Sequence, residues 1–386
     1  VLRPTTDVIV SFAPPSIGDA ELQAVMDVLQ SGWLTTGPRV HEFEQAVVAY
    51  TGARHAVAVN SGTAALHLAL IAAGIGAGDE VITTPLTFCA TVNAILHAGA
   101  TPVLADVDRE TMNLDPDAVE RALTPHTRAI LAVHFAGRPV SVARLRAVAE
   151  AENLAYLEDA AHAFGAAVGA ARIGAAADFT AFSFHAVKNV TTGEGGMVTT
   201  DSAACAKRIR ALALHGMSRD AWARYGGRSG PHYDVVEAGF KYNMMDLQAA
   251  LGLAQLRRID EMQAHRLELW RRYDEGLAGL PLVLPAPPEP GTIHARHLYT
   301  VLVDEAVCGF TRDGLAGALR DRGIATSVHF RALHLFPYYA ERLGHARGAF
   351  PEAEHVSDRT LSLPLSGGTD EADVDRVVTV LQELLV

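Results

Sequence analysis

The 386-residue chain has only three cysteines, Cys89, Cys205 and Cys308. They are scattered, odd in number and without metal-ligand spacing, which argues against both a disulfide framework and a zinc site. A reducing cytoplasm is the expected compartment. Positive charge is short as well: 32 Lys and Arg face 44 Asp and Glu, a net charge of −12. That balance argues against a nucleic-acid partner, whose binders usually carry a basic face; a local basic pocket for a phosphorylated small molecule stays open. The longest apolar run, near Ala64 to Ala77, contains His67 and two glycines and falls short of the ~20 residues a spanning helix needs. No charged region followed by an apolar block opens the chain, so neither a signal peptide nor a membrane partner is expected. Several signatures are missing too. GIGAG (Gly74 to Gly78) has the wrong spacing for a dinucleotide fingerprint and follows a helical pattern, no GK[ST] marks a P-loop, and HEFEQ offers only His41 in place of HExxH.

What is present is a 49% hydrophobic, glycine-rich sequence, long enough for a large core and two domains. After an arm (Val1 to Ile17), Asp19 can cap a helix, ELQAVMDVLQ, that stops at Gly32, and a second helix ends at Gly52. From there strands and helices alternate. HAVAV, EVITT, PVLAD, RAILAV and LAYLE are strands, each followed by a helical pattern, the last by a short helical turn through DAAHAF. This alternation predicts an α/β fold around a largely parallel, buried sheet. Strand FTAFSF leads through a loop to an apolar strand, GMVTT. Helices are expected from about Asp201 to Leu214 and from about Asp246 to Tyr273, separated by the Gly/Arg-rich loop HGMSRDAWARYGGRSGPHYD. LPLVLPAPPEPG marks a change of composition. Beyond it, strands HLYTVLVD and ATSVHF and two helices predict a smaller α+β domain. The division is placed at residues 1–257, a large domain with an N-terminal arm, and 258–386, a small C-terminal domain.

In such sheets ligands bind beyond the carboxyl ends of the strands, which selects the candidate residues. Asn60-Ser61-Gly62-Thr63 opens a helix where unbonded N–H groups and the dipole favour a phosphate, though an ordinary cap by Ser61 or Thr63 explains it equally. Phe88, after EVITT, is either a core residue or an aromatic face at the sheet edge. Asp159, after LAYLE, is either a helix cap or a carboxylate turned into the crevice, with His162 close behind. Ser183 lies at the end of FTAFSF and His185 directly after it. Lys188 then stands between aromatics and glycines, either as a surface lysine on a hairpin or as an amine in a partly desolvated pocket, the setting a Schiff-base lysine needs. Together these suit pyridoxal phosphate: helix-start amides and hydroxyls for a phosphate, an acid for the pyridine nitrogen, a flat apolar partner for the ring and an amine for the aldehyde. Each coincidence is weak alone; five in one register along one sheet are not.

The order GWLTTGP, NSGTAALHLAL, GDEVIT-P-TF-ATVNAI, DVD-TMNLDP, VHFAG, EDAAHAFGA, FSFHAVKN-TTGEGGMV, KYNMMDLQAALGLAQL resembles the DegT/StrS-type nucleotide-sugar aminotransferases, from about Phe12 to the C-terminus. FHAVKN, GFKYN, CGFTRD and SVHFRALH resemble those members that aminate C4 of nucleotide-linked 4-keto sugars, the arabinose-type enzymes among them. The resemblance implies a fold-type-I pyridoxal phosphate aminotransferase with a pyridoxamine phosphate form in its cycle. Lys188 would be the Schiff-base lysine and proton carrier, and Asp159 the partner of the pyridine nitrogen. His162 would lie near the phenolic oxygen, Gly62, Thr63 and Ser183 at the phosphate, and Phe88, a tryptophan in the arabinose relative, on the ring. Asn243 would reach the phosphate of a neighbouring subunit, hence a homodimer with shared sites. His185, His329 and Phe330 match positions near the sugar. Arg219, Arg224, Arg228 and Lys241 are candidates for the diphosphate, weighed against a solvated loop. The implied substrates are L-glutamate, leaving as 2-oxoglutarate, and a TDP- or UDP-linked 4-keto sugar. Members that dehydrate C3 instead have histidine at the lysine position; Lys188 implies completed amination. A C3 keto-sugar aminotransferase and a cofactor-binding regulator without turnover are the alternatives.

Overall fold

The computed structural model describes residues 9–218 and 233–385. Its centre is a seven-stranded sheet of β1 (His55–Val59), β2 (Glu80–Thr83), β3 (Thr101–Leu104), β4 (Thr127–Val133), β5 (Ala155–Asp159), β8 (Phe179–Ser183) and β9 (Gly196–Thr200). The order across the sheet is β1-β9-β8-β5-β4-β2-β3. Every strand but β9 runs the same way, because β9 pairs antiparallel with both β1 and β8 and the other pairings are parallel. All the carboxyl ends except that of β9 therefore open on one edge. Two short strands, β6 (Ala167–Val168) and β7 (Ala171–Arg172), form a separate small sheet with β11 (Thr292–Ile293).

Period-two alternation decides how the sheet is covered. Val57 and Val59 of β1, with Leu131, Leu157 and Val198, join a cluster under α3 (Gly62–Ala72) and the helix Ala203–Leu212. Ala56 and Ala58, with Phe182 and Met197, point the other way, against α2 (Pro38–Thr51) and the helix Asp246–Arg257. Both faces are thus buried, as a parallel sheet requires. The C-terminal unit has its own sheet, β10 (Leu282–Val283), β12 (Tyr299–Val303) and β13 (Thr360–Leu363), under the helices Arg312–Asp321 and Glu371–Leu385. Helix Ile259–Gly276 joins the two cores: Ile259 and Met262 pack on the large sheet, Leu269, Trp270 and Tyr273 on the small one.

Four local expectations need correction. The first helix, α1 (Asp19–Ser31), is capped at Gly18 rather than Asp19, with Glu21 Oε2 accepting the Gly18 N–H at 2.8 Å. The segment DAAHAF forms turns, not a helix, so Asp159 ends a strand without capping a helix. The helix expected over Asp246 to Tyr273 is two, broken at Arg258, whose guanidinium is drawn to the buried Glu21 at 3.1 Å. ATSVHF forms only an isolated bridge at Ser327, with another at Ile324 just before it; the strand beside β12 is β13 instead.

Candidate active site

The strand ends meet at a cavity of about 360 Å³. Lys188 stands at one wall, placed by the connection between β8 and β9. This loop begins in a turn whose Lys188 N–H donates to the His185 carbonyl at 2.9 Å. Asp159, the last residue of β5, faces it and is buried. Its Oδ2 accepts from Thr91 Oγ1 at 2.8 Å and its Oδ1 from the Ala161 N–H at 3.1 Å. Burial still pushes the Asp159 carboxyl upward, against those two bonds and the Lys188 charge. The Lys188 amine is lowered to about 8 because it is desolvated, which outweighs the opposing pull of Asp159.

The opening of α3 lies across the cavity. Ser61 caps it by accepting the Ala64 N–H at 3.1 Å, and Gly62 and Thr63 line the cavity beyond. Backbone approach here is close: a Cβ on Gly62 would sit 2.8 Å from Ser183 Cβ, and one on Gly196 would sit 2.3 Å from the Ser61 carbonyl oxygen. The result is a concavity of backbone and hydroxyls at a helix N-terminus, a setting that favours a phosphate. Phe88, 60% exposed, offers its ring to the same cavity.

His162 packs behind, its ring 5.8 Å from Phe330 and stacked on it, with a buried Nδ1 that has no hydrogen-bond partner in the protein. His329 donates or accepts with Ser362 Oγ at 2.8 Å through Nδ1. Burial, followed by the Lys188 charge, holds the two imidazoles neutral: His162 is well below the ordinary value and His329 is at about 4. His185 and Glu194, 3.8 Å apart, face the mouth. The structure therefore gathers Gly62, Thr63, Phe88, Asp159 and His162 with Ser183, His185, Lys188, His329 and Phe330 around one space.

Two predicted residues are elsewhere. Asn243 donates from Nδ2 to Thr36 Oγ1 at 2.8 Å, accepts from Lys241 Nζ at 2.5 Å, and neither lines the cavity. Arg219, Arg224 and Arg228 lie outside the described residues. Thr91, Glu194 and His297 were missed. Thr91 was legible as the hydroxyl one helical turn after Phe88, and Glu194 as the one carboxylate inside the glycine turn. His297 had no local signal. Among the described residues no group of His, Cys, Asp or Glu could hold a metal, and no helix is long and apolar enough to cross a membrane.

Fold and site together define the class: a large α/β aminotransferase of fold type I, with a mostly parallel central sheet and a smaller C-terminal unit. A model of the DegT/DnrJ/EryC1/StrS aminotransferase family matches residues 15–382, and the chain belongs to that family. It is 49% identical over 376 residues to the spore coat polysaccharide biosynthesis protein SpsC of Bacillus subtilis (strain 168), covering 97% of this chain and 96% of that one. It is similar in structure to the putative sugar aminotransferase Spr1654 from Streptococcus pneumoniae in its PMP form (TM-score 0.90, 35% identity, 97% of this chain and 98% of that one). DesI, solved in the presence of its TDP-sugar product, matches with a TM-score of 0.86 and 36% identity, over 98% of this chain and 93% of that one.

Proposed function

We propose that this protein is a pyridoxal phosphate-dependent aminotransferase that moves an amino group from L-glutamate to C4 of a nucleotide-linked 4-keto sugar. The observation that carries the reading is the meeting of the Lys188 amine, the Asp159 carboxylate, the opening of α3 and the Phe88 ring at one cavity. Those residues fit the cofactor. The concavity at Gly62, Thr63 and Ser183 would hold its phosphate, Asp159 its pyridine nitrogen, Phe88 its ring face and the unpartnered His162 its phenolic oxygen. When bound, pyridoxal phosphate supplies an aldehyde for amines and an electron-withdrawing ring that makes the adjacent carbon acidic.

The protein's own residues do the rest. Lys188 Nζ, once released as a neutral amine, takes the proton from the α-carbon of the donor. In the second half it returns a proton to C4 of the sugar, so that glutamate and keto sugar leave as 2-oxoglutarate and amino sugar. Asp159 would keep the ring nitrogen protonated, its carboxylate held by Thr91 and the Ala161 amide. His329, Phe330 and His185 shape the sugar end. Arg219 and Lys241 are proposed for the diphosphate.

The nucleotide-sugar assignment draws on family membership and on two relatives, one named for spore coat polysaccharide biosynthesis and one solved in the presence of its TDP-sugar product. A cytoplasmic homodimer with shared sites belongs to the same proposal. Asn243, outside the cavity of its own chain, would serve a second copy, and α1 exposes Leu22, Met26 and Leu29, an apolar row suited to burial. The deciding experiment incubates the cofactor-loaded protein with glutamate and a panel of TDP- and UDP-linked 4-keto and 3-keto sugars. Glutamate-dependent 2-oxoglutarate with a 4-amino product is expected. Amination at C3 would support the alternative regiochemistry, and tight cofactor binding without any turnover would support the regulator.

A further inference from the structure

We propose that the segment His294 to Leu298 of the C-terminal unit is a strap that positions Lys188 and His162, with Asn189 and His297 as its positioning residues. The inference rests on the reading above, in which Lys188 and His162 flank the reacting atoms.

Asn189 directly follows Lys188 and is buried. Its Nδ2 donates to the Ala295 carbonyl at 2.7 Å, so Oδ1 is the atom that meets His297 Nδ1 at 3.0 Å. An amide oxygen can only accept. His297 must therefore donate, which places its proton on Nδ1 and leaves Nε2 as the lone pair. The His297 and His162 ring centroids lie 4.3 Å apart. One buried imidazole thus holds the side chain of the residue next to the lysine and packs on the histidine at the cavity.

The strap is tied to the large unit at a third place. Ala295 N–H donates to the Gly137 carbonyl at 2.9 Å and His297 N–H to the Ala136 carbonyl at 3.0 Å. Gly137, at φ 92°, leaves no space for a side chain: a Cβ there would sit 2.7 Å from the His162 carbonyl oxygen and 3.2 Å from His297 N. The loops after β4, β5 and β8 all converge on this strap, and it comes from the other unit. A lysine that must leave and regain its place in each turnover needs a backbone that does not move with it. Displacement of about 1 Å at such a group costs on the order of 10²-fold in rate.

Lys188, Lys207 and Lys241 are the only lysines in the chain, so the test is a peptide map. Competitive acetylation of the cofactor-free protein across pH reads the titration midpoint of each amine. The groups facing Lys188 are Asp159, His162, His297 and His329, with His185 and Glu194 at the mouth and Arg266 across a second, small cavity. The wild-type midpoint of Lys188 is expected at about 8. His297→Phe and Asn189→Leu should raise it by about one unit or more toward the ordinary value, with Lys207 unmoved. In the loaded enzyme both should lower kcat by about tenfold or more while KM stays within about twofold. His297→Gln, whose amide can still donate to Asn189, should recover most of both losses.

The proposal is overturned if His297→Phe and Asn189→Leu keep the wild-type midpoint, or if His297→Gln is as impaired as His297→Phe. Should the larger changes unfold the protein, Asn189→Asp decides. It keeps the acceptor for His297 but loses the donor and sets a carboxylate against the Ala295 carbonyl, so an unchanged kcat in that variant would sink the idea. Labelling needs neither sugar nor cofactor, so a wrong substrate assignment would leave its outcome intact and show itself only in the sugar assay.

Discussion

The proton-carrier role proposed for Lys188 requires an uncharged amine, and desolvation brings it to about 8 although Asp159 pulls the other way. At pH 7 about a tenth of such amines are neutral, against less than about one in a thousand at the ordinary lysine value. Lys188→Ala should therefore cost about 10³-fold or more in steady-state amination, the range of a lost general base, and activity near wild type would overturn the proton-carrier role. Gly62 is a second single-residue test. A methyl there meets Ser183 Cβ at 2.8 Å, and both residues belong to the concavity proposed for the phosphate. Gly62→Ala should weaken cofactor binding by about 1–3 kcal/mol, the usual cost of overpacking, as read by titrating cofactor absorbance into the apo protein. An unchanged Kd would mean that the phosphate sits elsewhere.

At the scale of elements, the opening of α2 depends on a side chain far away in sequence. Gly37 has no side chain to cap it. Asp246, buried at the start of a distant helix, accepts the Arg39 N–H at 3.2 Å and the Val40 N–H at 3.1 Å. Asp246→Ala should destabilise the protein by about 1–2 kcal/mol, the cost of a lost N-cap, measured by urea unfolding; a change below a few tenths would refute the capping. This remote cap also shows where sequence reasoning stops. KYNMMDLQAALG was legible as a motif, but Asp246 had no visible task, because its partners are some 207 positions away. The same is true of the break at Arg258. The apolar period runs through Arg257-Arg258 without a Gly or Pro, and Glu21 lies 237 positions off. Alternating strands and helices, by contrast, follow local rules, so β1 to β5, β8 and β9 and the cavity residues at their ends were legible. ATSVHF has the residues of a strand, yet β13 takes the place beside β12. We propose the division between the units at that break, residues 1–257 and 258–386.

Over the whole molecule, three imidazoles from three distant stretches, His162, His297 and His329, are kept neutral around one amine. Each is lowered first by burial, and Lys188 adds to the shift in all three. The linkage has a definite sign. An unfolded histidine takes up its proton near pH 6.5, while His329 in the fold resists until about 4. Between those values the unfolded state holds more protons, so the stability these groups permit is complete above 6.5 and is lost as pH falls toward 4. Asp159, raised by burial, acts oppositely in its own range and offsets part of the loss. The cofactor-free protein should therefore show a falling denaturation midpoint from pH 6.5 to 4. His329→Gln cannot take up that proton in either state. Its decline should be shallower by up to about 1.4 kcal/mol per pH unit, the worth of one proton. Slopes rather than absolute stabilities are compared, because the variant also alters the contact with Ser362. Parallel curves for wild type and variant would show that His329 takes up its proton at the same pH in the folded as in the unfolded protein. That outcome would place a cation against Lys188 below about pH 6.5 and remove the desolvation from which the neutral pocket is argued.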